Sequence, residues 1–232
     1  TSGYALAKNL ESRVRGLGQA LENVGTAKNV LNIAEGGFQA QMSLLQTMKE
    51  KATQAADGSY SADQRTAIND QFVALRTEFD DISSDTKFND NALMSATAMV
   101  FHVGEGSTDT LSVTFGTSVA TSVGEGAGTN ISATTLATQA GAVAGITSLD
   151  AAIKSLSKSI QNVGDFNARL SSKEESLSLA ISNTEATRSR IEDADFAKEQ
   201  MSMMKLQILQ QTTISSFSQA NATPQMVLGL FR

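Results

Sequence analysis

Residues 4–56 have the sequence YALAKNLESRVRGLGQALENVGTAKNVLNIAEGGFQAQMSLLQTMKEKATQAA. Apolar side chains recur along this stretch in alternating steps of three and four residues, with one gap at Ala27 and Lys28. The repeating positions are Leu10, Val14, Leu17, Leu21, Val24, Leu31, Ala34, Phe38, Met42, Leu45 and Ala52. Such a heptad pattern predicts a helix that needs a partner helix along its whole length. At about 1.5 Å per residue, this helix is on the order of 75 Å long, which is too long for a compact globule.

A second heptad predicts the partner helix. Its apolar positions are Ile146, Leu149, Ile153, Leu156, Ile160, Val163, Leu170, Leu177 and Ile181. The pattern weakens at Asn167 and Glu174, where we expect a third helix or a neighbouring subunit to take over the contact. Two helices of similar length with apolar seams predict a paired arrangement.

A shorter helix is predicted directly after the first one. Gly58 is a plausible C-cap of the first helix, and Ser61 with Gln64 reads as a capping box that starts the next. Its apolar stripe consists of Ile68, Phe72, Leu75, Phe79 and Ile82. A turn is expected to follow at residues 86–91.

The middle of the chain changes its period from the helical one to two. Residues 111–115 alternate apolar and polar side chains, and with the β-branched and aromatic run at 99–103 and a turn at residues 104–108 they predict a β-hairpin. Residues 116–145 are rich in Gly, Ala, Ser and Thr, and are expected to form loops or short turns. Together these patterns predict a mainly α fold, with long antiparallel coiled-coil helices forming a rod and a small β-hairpin and loop region.

Composition excludes several classes of function. The chain has 232 residues, a formal net charge of −6, no Cys, no Trp and a single proline, Pro224. A nucleic-acid-binding protein needs a basic face, and no Lys/Arg-rich run is present. Residues 130–148 form an uncharged stretch that is too polar to span a bilayer, and we expect neither nucleic-acid binding nor membrane insertion.

No pattern of catalytic or metal-binding residues stands out. The single histidine, His102, lies on a predicted strand, and no serine has the elbow motif of a hydrolase beside it. Carboxylates cluster at Asp80–Asp81, Glu174–Glu175 and Glu192–Asp195, and the Asp-x-Asp at 193–195 lacks the glycine and distal glutamate of a calcium loop. Solvated helix faces with local pairs such as Glu185 and Arg188 explain these clusters better. We therefore expect no enzymatic activity, no metal site and no cofactor.

Two segments near the C-terminus carry a specific resemblance. Residues 187–199 read TRSRIEDADFAKE, and residues 219–232 read QANATPQMVLGLFR. They resemble the ARSRIEDSDYATE signature and the terminal Gln-Ala-Asn…Pro-Gln…Leu-Leu-Arg of bacterial flagellins. The residues shared with the signature include Arg188, Arg190, Ile191, Glu192 and Asp193. Residues 33–37 and 87–90 are similar to further flagellin motifs, so that the resemblance covers residues 1–95 and 146–232.

The resemblance implies a division of the chain. Residues 1–95 and 146–194 would be the two helical halves of a flagellin core rod, 96–145 a β-hairpin with a variable outer loop, and 195–232 a polymerisation tail. It also implies that the extreme N-terminal helix of flagellins, the partner of that tail, is absent from these residues. Residues 1–232 alone are then expected to stay monomeric or bind a chaperone, and not to polymerise.

The function that the resemblance implies is mechanical. Copies of the chain would stack helically into the extracellular flagellar filament, after export from the cytoplasm through the flagellar type III secretion system. The implied partners are filament neighbours, an export chaperone, the export apparatus and the filament cap. The alternatives are a flagellar hook–filament junction protein or another secretion-system coiled-coil protein. A protease embedded in a flagellin would need zinc ligands that the chain lacks.

Two surfaces are candidate binding sites on this resemblance. In flagellins that stimulate the innate immune receptor, one patch reads LQRVRELA, and the matching residues 45–52 here read LQTMKEKA. Thr47 replaces the arginine, Lys51 replaces a leucine, and Gln71 stands where a glutamate is expected, so weak activation of the receptor is expected.

The second surface is the tail, because no acidic residue occurs from Met201 to Arg232. We expect a disordered tail in the isolated chain, with Pro224 limiting any single straight helix. Its candidate residues for chaperone binding and polymerisation are Ile208, Leu209, Ile214, Phe217, Leu228, Leu230 and Phe231.

Overall fold

The described part of the chain contains three α-helices and two small hairpins. The computed structural model describes residues 2–95, 97–123 and 130–230, with the backbone alone at 2, 195 and 221–230. In chain order, the elements are α1 (Ser2–Ala55), α2 (Ala62–Asp85), β1 (Lys87–Phe88), β2 (Asn91–Ala92), β3 (Ala98–His102), β4 (Thr110–Thr114), a 3-10 turn (Ile131–Ala133) and α3 (Gln139–Leu230). The predicted mainly α fold with long helices and a small hairpin is confirmed.

The chain forms two compact units, one of residues 16–178 and one of residues 1–15 with 179–232. In the first unit, the heptad of α1 has no gap, because Ala27 is fully buried at the position where the pattern seemed interrupted. The buried heptad positions are Leu17, Ala20, Val24, Ala27, Leu31, Ala34, Phe38, Gln41, Leu45, Met48, Ala52 and Ala55. The predicted seam residues Leu21 and Met42 are only half-buried, since their neighbours Ala20 and Gln41 occupy the seam.

Within this unit, α1 and α3 run antiparallel. Lys28 Nζ lies 2.8 Å from Glu174 Oε2, and Lys49 Nζ lies 2.5 Å from Asp150 Oδ1. The partners' positions therefore run in opposite directions along the two helices. Glu174 pairs with Lys28, and Asn167 Nδ2 donates to Asn32 Oδ1 at 3.5 Å, so α1 supplies a contact at both positions. A third helix or a neighbouring subunit at these positions stays a prediction. Both polar residues face α1 itself.

The connection from α1 to α2 is closed by side chains. Ser61 and Gln64 form the predicted capping box, each side chain bonding the other's backbone N–H. Gly58 is not the C-cap that the sequence suggested, because α1 ends at Ala55 and Gly58 does not adopt a left-handed φ. Instead Arg65 of α2 donates to the carbonyl oxygens of Ala55 and Asp57 at 2.8 and 2.7 Å. A side chain from the next helix thus satisfies carbonyls that the end of α1 leaves open.

The two hairpins follow from local backbone chemistry. β1 and β2 are joined by Asn89 and Asp90, whose φ values of 47° and 62° match the two positive-φ positions of a type I′ turn. β3 and β4 pair antiparallel with Val100 opposite Ser112, as the change of period predicted. Along β4, Leu111 and Val113 are buried and the residues between them are exposed, so the hairpin lays one face on the core.

The segment that was expected to be loop up to residue 145 is shorter. α3 begins at Gln139, seven residues before the predicted Ile146, because the buried Ala142 and the close-packed Gly145 extend its heptad. The preceding turn buries Ile131 and Leu136. On α2, Arg76 donates to Ser132 O at 2.8 Å and Asn69 Oδ1 accepts from Leu136 N at 2.8 Å. Polar side chains of α2 therefore hold this loop in place.

Gln41 is a buried polar residue at the centre of the first unit. Its side chain has no exposed surface, although it occupies a heptad position of α1. Its Nε2 donates to the carbonyl oxygens of Phe79 and Ser118 at 2.8 and 3.1 Å, and its Oε1 accepts from Ser118 Oγ. One side chain thereby joins α1, α2 and the loop after β4.

We expect Gln41→Leu to lower the free energy of unfolding by about 1–3 kcal/mol, because it removes three buried hydrogen bonds, to the Phe79 and Ser118 carbonyls and from the Ser118 hydroxyl. Urea unfolding followed by circular dichroism measures this. The control is Gln46→Leu, on the exposed side of the same helix, which should change the free energy by no more than about 0.5 kcal/mol. Equal stability of the two variants would show that the Gln41 hydrogen bonds contribute nothing net.

Candidate assembly and binding surfaces

The second unit exposes apolar side chains along α3. From Phe196 to Phe217, large apolar residues are between 51% and 66% exposed. They are Phe196, Met201, Met203, Met204, Leu206, Ile208, Leu209, Ile214 and Phe217. We call this segment the apolar tail. Four of the predicted tail residues, Ile208, Leu209, Ile214 and Phe217, belong to it, whereas the side chains of Leu228 and Leu230, and Phe231 altogether, lie outside the described residues.

Apolar side chains lie on opposite sides of this helix. Met201, Met204 and Ile208 share one face because they are three and seven residues apart. Met203 and Leu206 share a face turned roughly half a circle away, at about 100° per residue. A helix that is apolar on several sides is normally enclosed by neighbours rather than packed against one.

The structure does not interrupt the tail at Pro224. α3 is helical as far as Leu230, which differs from both the expected disorder and the expected break. A proline removes one backbone hydrogen bond, yet the turns on either side keep theirs, and φ near −65° is itself helical. The apolar tail therefore lies on a helix whose backbone continues beyond Phe217.

The start of α1 adds apolar surface in the same unit. Tyr4 and Leu6 are 68% and 49% exposed, and Tyr4 with Ala7, Ile191 and Phe196 lines a shallow groove. Tyr4 and Leu6 are not among the residues that the heptads predict to be functional. The sequence nevertheless indicates their exposure, because both are large apolar residues outside the heptad positions.

Charged residues on α1 surround this exposed end. Lys8 Nζ lies 2.7 Å from Glu11 Oε2, and Arg15 also pairs with Glu11. The hydrogen bond from Lys8, followed by that from Arg15, lowers the pKa of the Glu11 carboxyl. The same hydrogen bond raises the pKa of Lys8, whose Nζ lies 5.8 Å from the Tyr4 ring centroid. The side chains of Lys8, Glu11 and Arg15 are all in contact with solvent, so water screens the attraction between their charges.

The residues of the flagellin-like signature form local pairs on α3. Arg188 lies 3.7 Å from Glu185 and 3.9 Å from Glu192, and Ser189 Oγ donates to Asp193 Oδ2 at 3.0 Å. Ile191 is half-buried and Arg190 is exposed. The local pair of Glu185 and Arg188 that the sequence predicted is confirmed, and this acidic cluster belongs to a solvated helix face.

The three residues of the predicted receptor patch meet in one groove of the first unit. Thr47 and Lys51 of α1 line it together with residues of α2, which are Gln71, Ala74, Leu75 and Glu78. Met48 and Ala52, in the same heptad stretch, are fully buried and leave Thr47 and Lys51 on the surface. Side chains 20 or more residues apart in sequence thus form one surface.

The remaining candidate residues take part in structure. His102 is exposed on β3, and its carbonyl oxygen accepts from Asn23 Nδ2 at 3.0 Å. Asp80 accepts from the backbone N–H of Ala120 at 2.7 Å. Within residues 2–95, 97–123 and 130–230, no three His, Asp or Glu side chains lie close enough to hold a metal ion. None of the helices in those ranges has the length and hydropathy of a membrane span.

Family models match both ends of the chain. The bacterial flagellin N-terminal helical region matches residues 1–99, and the bacterial flagellin C-terminal helical region matches residues 146–231. The chain is 31% identical over 243 residues to flagellin FlaB1 of Treponema pallidum (strain Nichols), covering 100% of this chain and 85% of that protein. It is also 31% identical to a flagellin of Listeria monocytogenes, covering 99% of this chain and 84% of that protein.

Solved structures agree with this assignment. The crystal structure of Bacillus cereus flagellin is 25% identical, with a TM-score of 0.58 over 67% of this chain and 88% of that one. A putative flagellar hook-associated protein from Vibrio parahaemolyticus has a TM-score of 0.67 over 79% of this chain and 95% of that chain, but at 15% identity it shows the fold alone. The resemblance read from residues 187–199 and 219–232 is thus confirmed, and the chain belongs to the flagellin family, the structural proteins of the bacterial flagellar filament.

Proposed function

We propose that the apolar tail is the surface through which this flagellin packs against its neighbours in the filament. The observation that carries the proposal is that nine large apolar side chains lie on one helix segment, each at least 51% exposed. Exposed apolar surface of this extent marks an interaction site in proteins that otherwise bury such side chains.

The energetics of burial support an assembly role. Fully burying an aliphatic or aromatic side chain contributes about 1.5–3 kcal/mol, so covering half of the apolar tail contributes on the order of 10 kcal/mol. Losing the freedom of an independent molecule costs an estimated 4–15 kcal/mol. The free energy gained by burial and the cost of association are therefore comparable. A neighbour that covers only one face of the helix binds marginally, whereas neighbours on both faces bury enough surface for stable association.

The two faces also suit a fibre. One face holds Met201, Met204 and Ile208, and the other holds Met203 and Leu206, so the surfaces offered to two neighbours differ. Contacts between unlike surfaces propagate into an open helical array when the rotation between copies does not close. The chain would occupy such an array outside the cell.

We expect the double variant Leu206→Gln, Phe217→Ser to raise the concentration needed for filament assembly more than about 100-fold, because two apolar anchors are lost. Sedimentation and electron microscopy of the full-length protein measure this. The matched control, Gln207→Asn with Gln211→Asn, changes polar residues on the same segment and should assemble normally. Unchanged assembly by the double variant would contradict the proposal.

We further propose that the tail is covered by an export chaperone before the chain passes through the flagellar type III export apparatus and meets the filament cap. Exposed apolar residues on an unassembled subunit favour aggregation, and residues 201–232 contain no acidic side chain to repel another copy. A chaperone with apolar grooves would bind the helix by laying separate turns into them. Ile208, Leu209, Ile214 and Phe217, with Leu228, Leu230 and Phe231, are the proposed anchors.

Deleting residues 195–232 is expected to abolish chaperone binding while leaving the helical content of residues 1–190 intact. Calorimetric titration measures the affinity, and circular dichroism measures the helical content. An unchanged affinity after the deletion would rule the chaperone site out. The double variant Leu206→Gln, Phe217→Ser separates the two roles. It removes only Phe217 of the seven anchors and keeps the other six, so it should weaken chaperone binding less than the deletion does.

The groove that holds Thr47, Lys51 and Gln71 supports a further proposal, that this chain activates the innate immune receptor for flagellin only weakly. An arginine and an apolar residue at the centre of an interface often contribute about 2 kcal/mol or more each. Here a threonine and a lysine stand at those positions, and they line the same groove as Gln71.

The triple variant Thr47→Arg, Lys51→Leu, Gln71→Glu should therefore activate the receptor at a concentration roughly tenfold or more below that of the unmodified protein. A reporter-cell assay measures the half-maximal concentration. Thr53→Arg, which places an arginine on the same helix outside the groove, is the control and should leave activation unchanged. Strong activation by the unmodified protein would refute the proposal.

A further inference from the structure

The methionines of the chain differ sharply in exposure. Met201, Met203 and Met204 have 62%, 55% and 54% of their surface exposed. Met48 and Met94 have 0% and 2% exposed, so they form an internal reference set. Because the chain contains no cysteine, thioethers are its only sulfur groups.

The three exposed thioethers lie on both faces of the apolar tail. Met201 and Met204 lie on the face that also carries Ile208, and Met203 lies on the face that carries Leu206. A change in the polarity of these side chains therefore alters both proposed contact surfaces at once. None of the three has a neighbouring side chain covering it in the described structure, since residues 192–194 and 196–220 are all exposed.

A thioether in water is open to two-electron oxidation. The sulfur lone pair attacks one oxygen of hydrogen peroxide, an S–O bond forms, the O–O bond breaks, and water leaves after proton transfer. Sulfur is oxidised by two electrons and the peroxide is reduced. The product, methionine sulfoxide, is polar and chiral, and methionine sulfoxide reductases convert it back. Buried thioethers react only when the structure opens locally.

We propose that Met201, Met203 and Met204 form an oxidation site at which hydrogen peroxide converts the unassembled chain to a form that does not assemble. The consequence for assembly rests on the proposed function of the apolar tail. Three sulfoxides place polar oxygens on surfaces that must be desolvated, which opposes association. In the filament the same side chains are covered, so assembly protects them, and reductases restore the oxidised subunit.

Peptide mapping by mass spectrometry tests the site itself. The full-length monomeric protein is treated with hydrogen peroxide, and the gain of one oxygen at each methionine is followed in time. Met201, Met203 and Met204 should be oxidised roughly tenfold or more faster than Met48 and Met94. Equal rates for the two sets would overturn the proposal, whatever the protein does in assembly.

Assembly of the oxidised protein tests the consequence. Oxidation should raise the concentration needed for filament formation at least roughly tenfold, and treatment with both stereospecific sulfoxide reductases should reverse it. The variant Met201→Leu, Met203→Leu, Met204→Leu removes the three thioethers. Its assembly concentration, whatever its value without peroxide, should not change on peroxide treatment. The control Met42→Leu, Met99→Leu changes two half-buried methionines and should remain as sensitive as the unmodified protein.

The two proposals fail in different ways. If oxidised protein assembles as well as the reduced protein, or if the triple leucine variant still loses assembly on oxidation, the three methionines are not the switch. If they are oxidised equally fast in monomer and filament, the apolar tail is not buried on assembly, and the proposed function fails together with the protection by assembly.

Discussion

The antiparallel seam between α1 and α3 is the constraint on which residues 16–178 depend. Large residues such as Leu31 and Phe38 alternate along α1 with small ones such as Ala27 and Ala34, and all four are fully buried. On α3, Leu149 and Ala152 continue the alternation. Small residues let helix backbones approach, while large ones fill the space between them. The short helix, the hairpins and the loop pack onto this pair.

Gln41 is a polar residue at a buried heptad position of α1. Its hydrogen bonds restrict the register of α1 against α2 and the loop after β4. Gln41 is buried only because the carbonyls of Phe79 and Ser118 and the hydroxyl of Ser118 take up its hydrogen-bonding groups. A shift of α1 by one residue would remove the amide from these partners and leave buried polar groups unsatisfied. Hydrophobic burial thus supplies most of the stabilisation, and the hydrogen-bonded amide of Gln41 disfavours other registers of α1.

The same helix serves two purposes along its length. Leu177 is the last side chain of α3 that is buried among those described, and from Phe196 to Phe217 its large apolar residues are exposed. Nothing in the backbone changes between these stretches, since both are regular helix. What changes is the source of the partner surface, which is intramolecular for Leu170 and Leu177 and, on the proposed function, intermolecular for Ile208 and Phe217. A subunit of a fibre needs both kinds of surface, because a chain that buried all its apolar residues internally would leave no apolar surface to bury between subunits.

The sequence by itself determined the helices, the β3–β4 hairpin, the capping box and the family, because each is encoded in a local period or a contiguous motif. Only the tertiary structure decided which of two neighbouring residues faces the seam, as for Ala20 against Leu21 and Gln41 against Met42. Adjacent residues differ by about 100° around a helix, and the direction of the partner is not a local property. For the same reason, the capping of α1 by Arg65 and the meeting of Lys51 with Gln71 in one groove could not be read from the chain, since both depend on how separate helices pack.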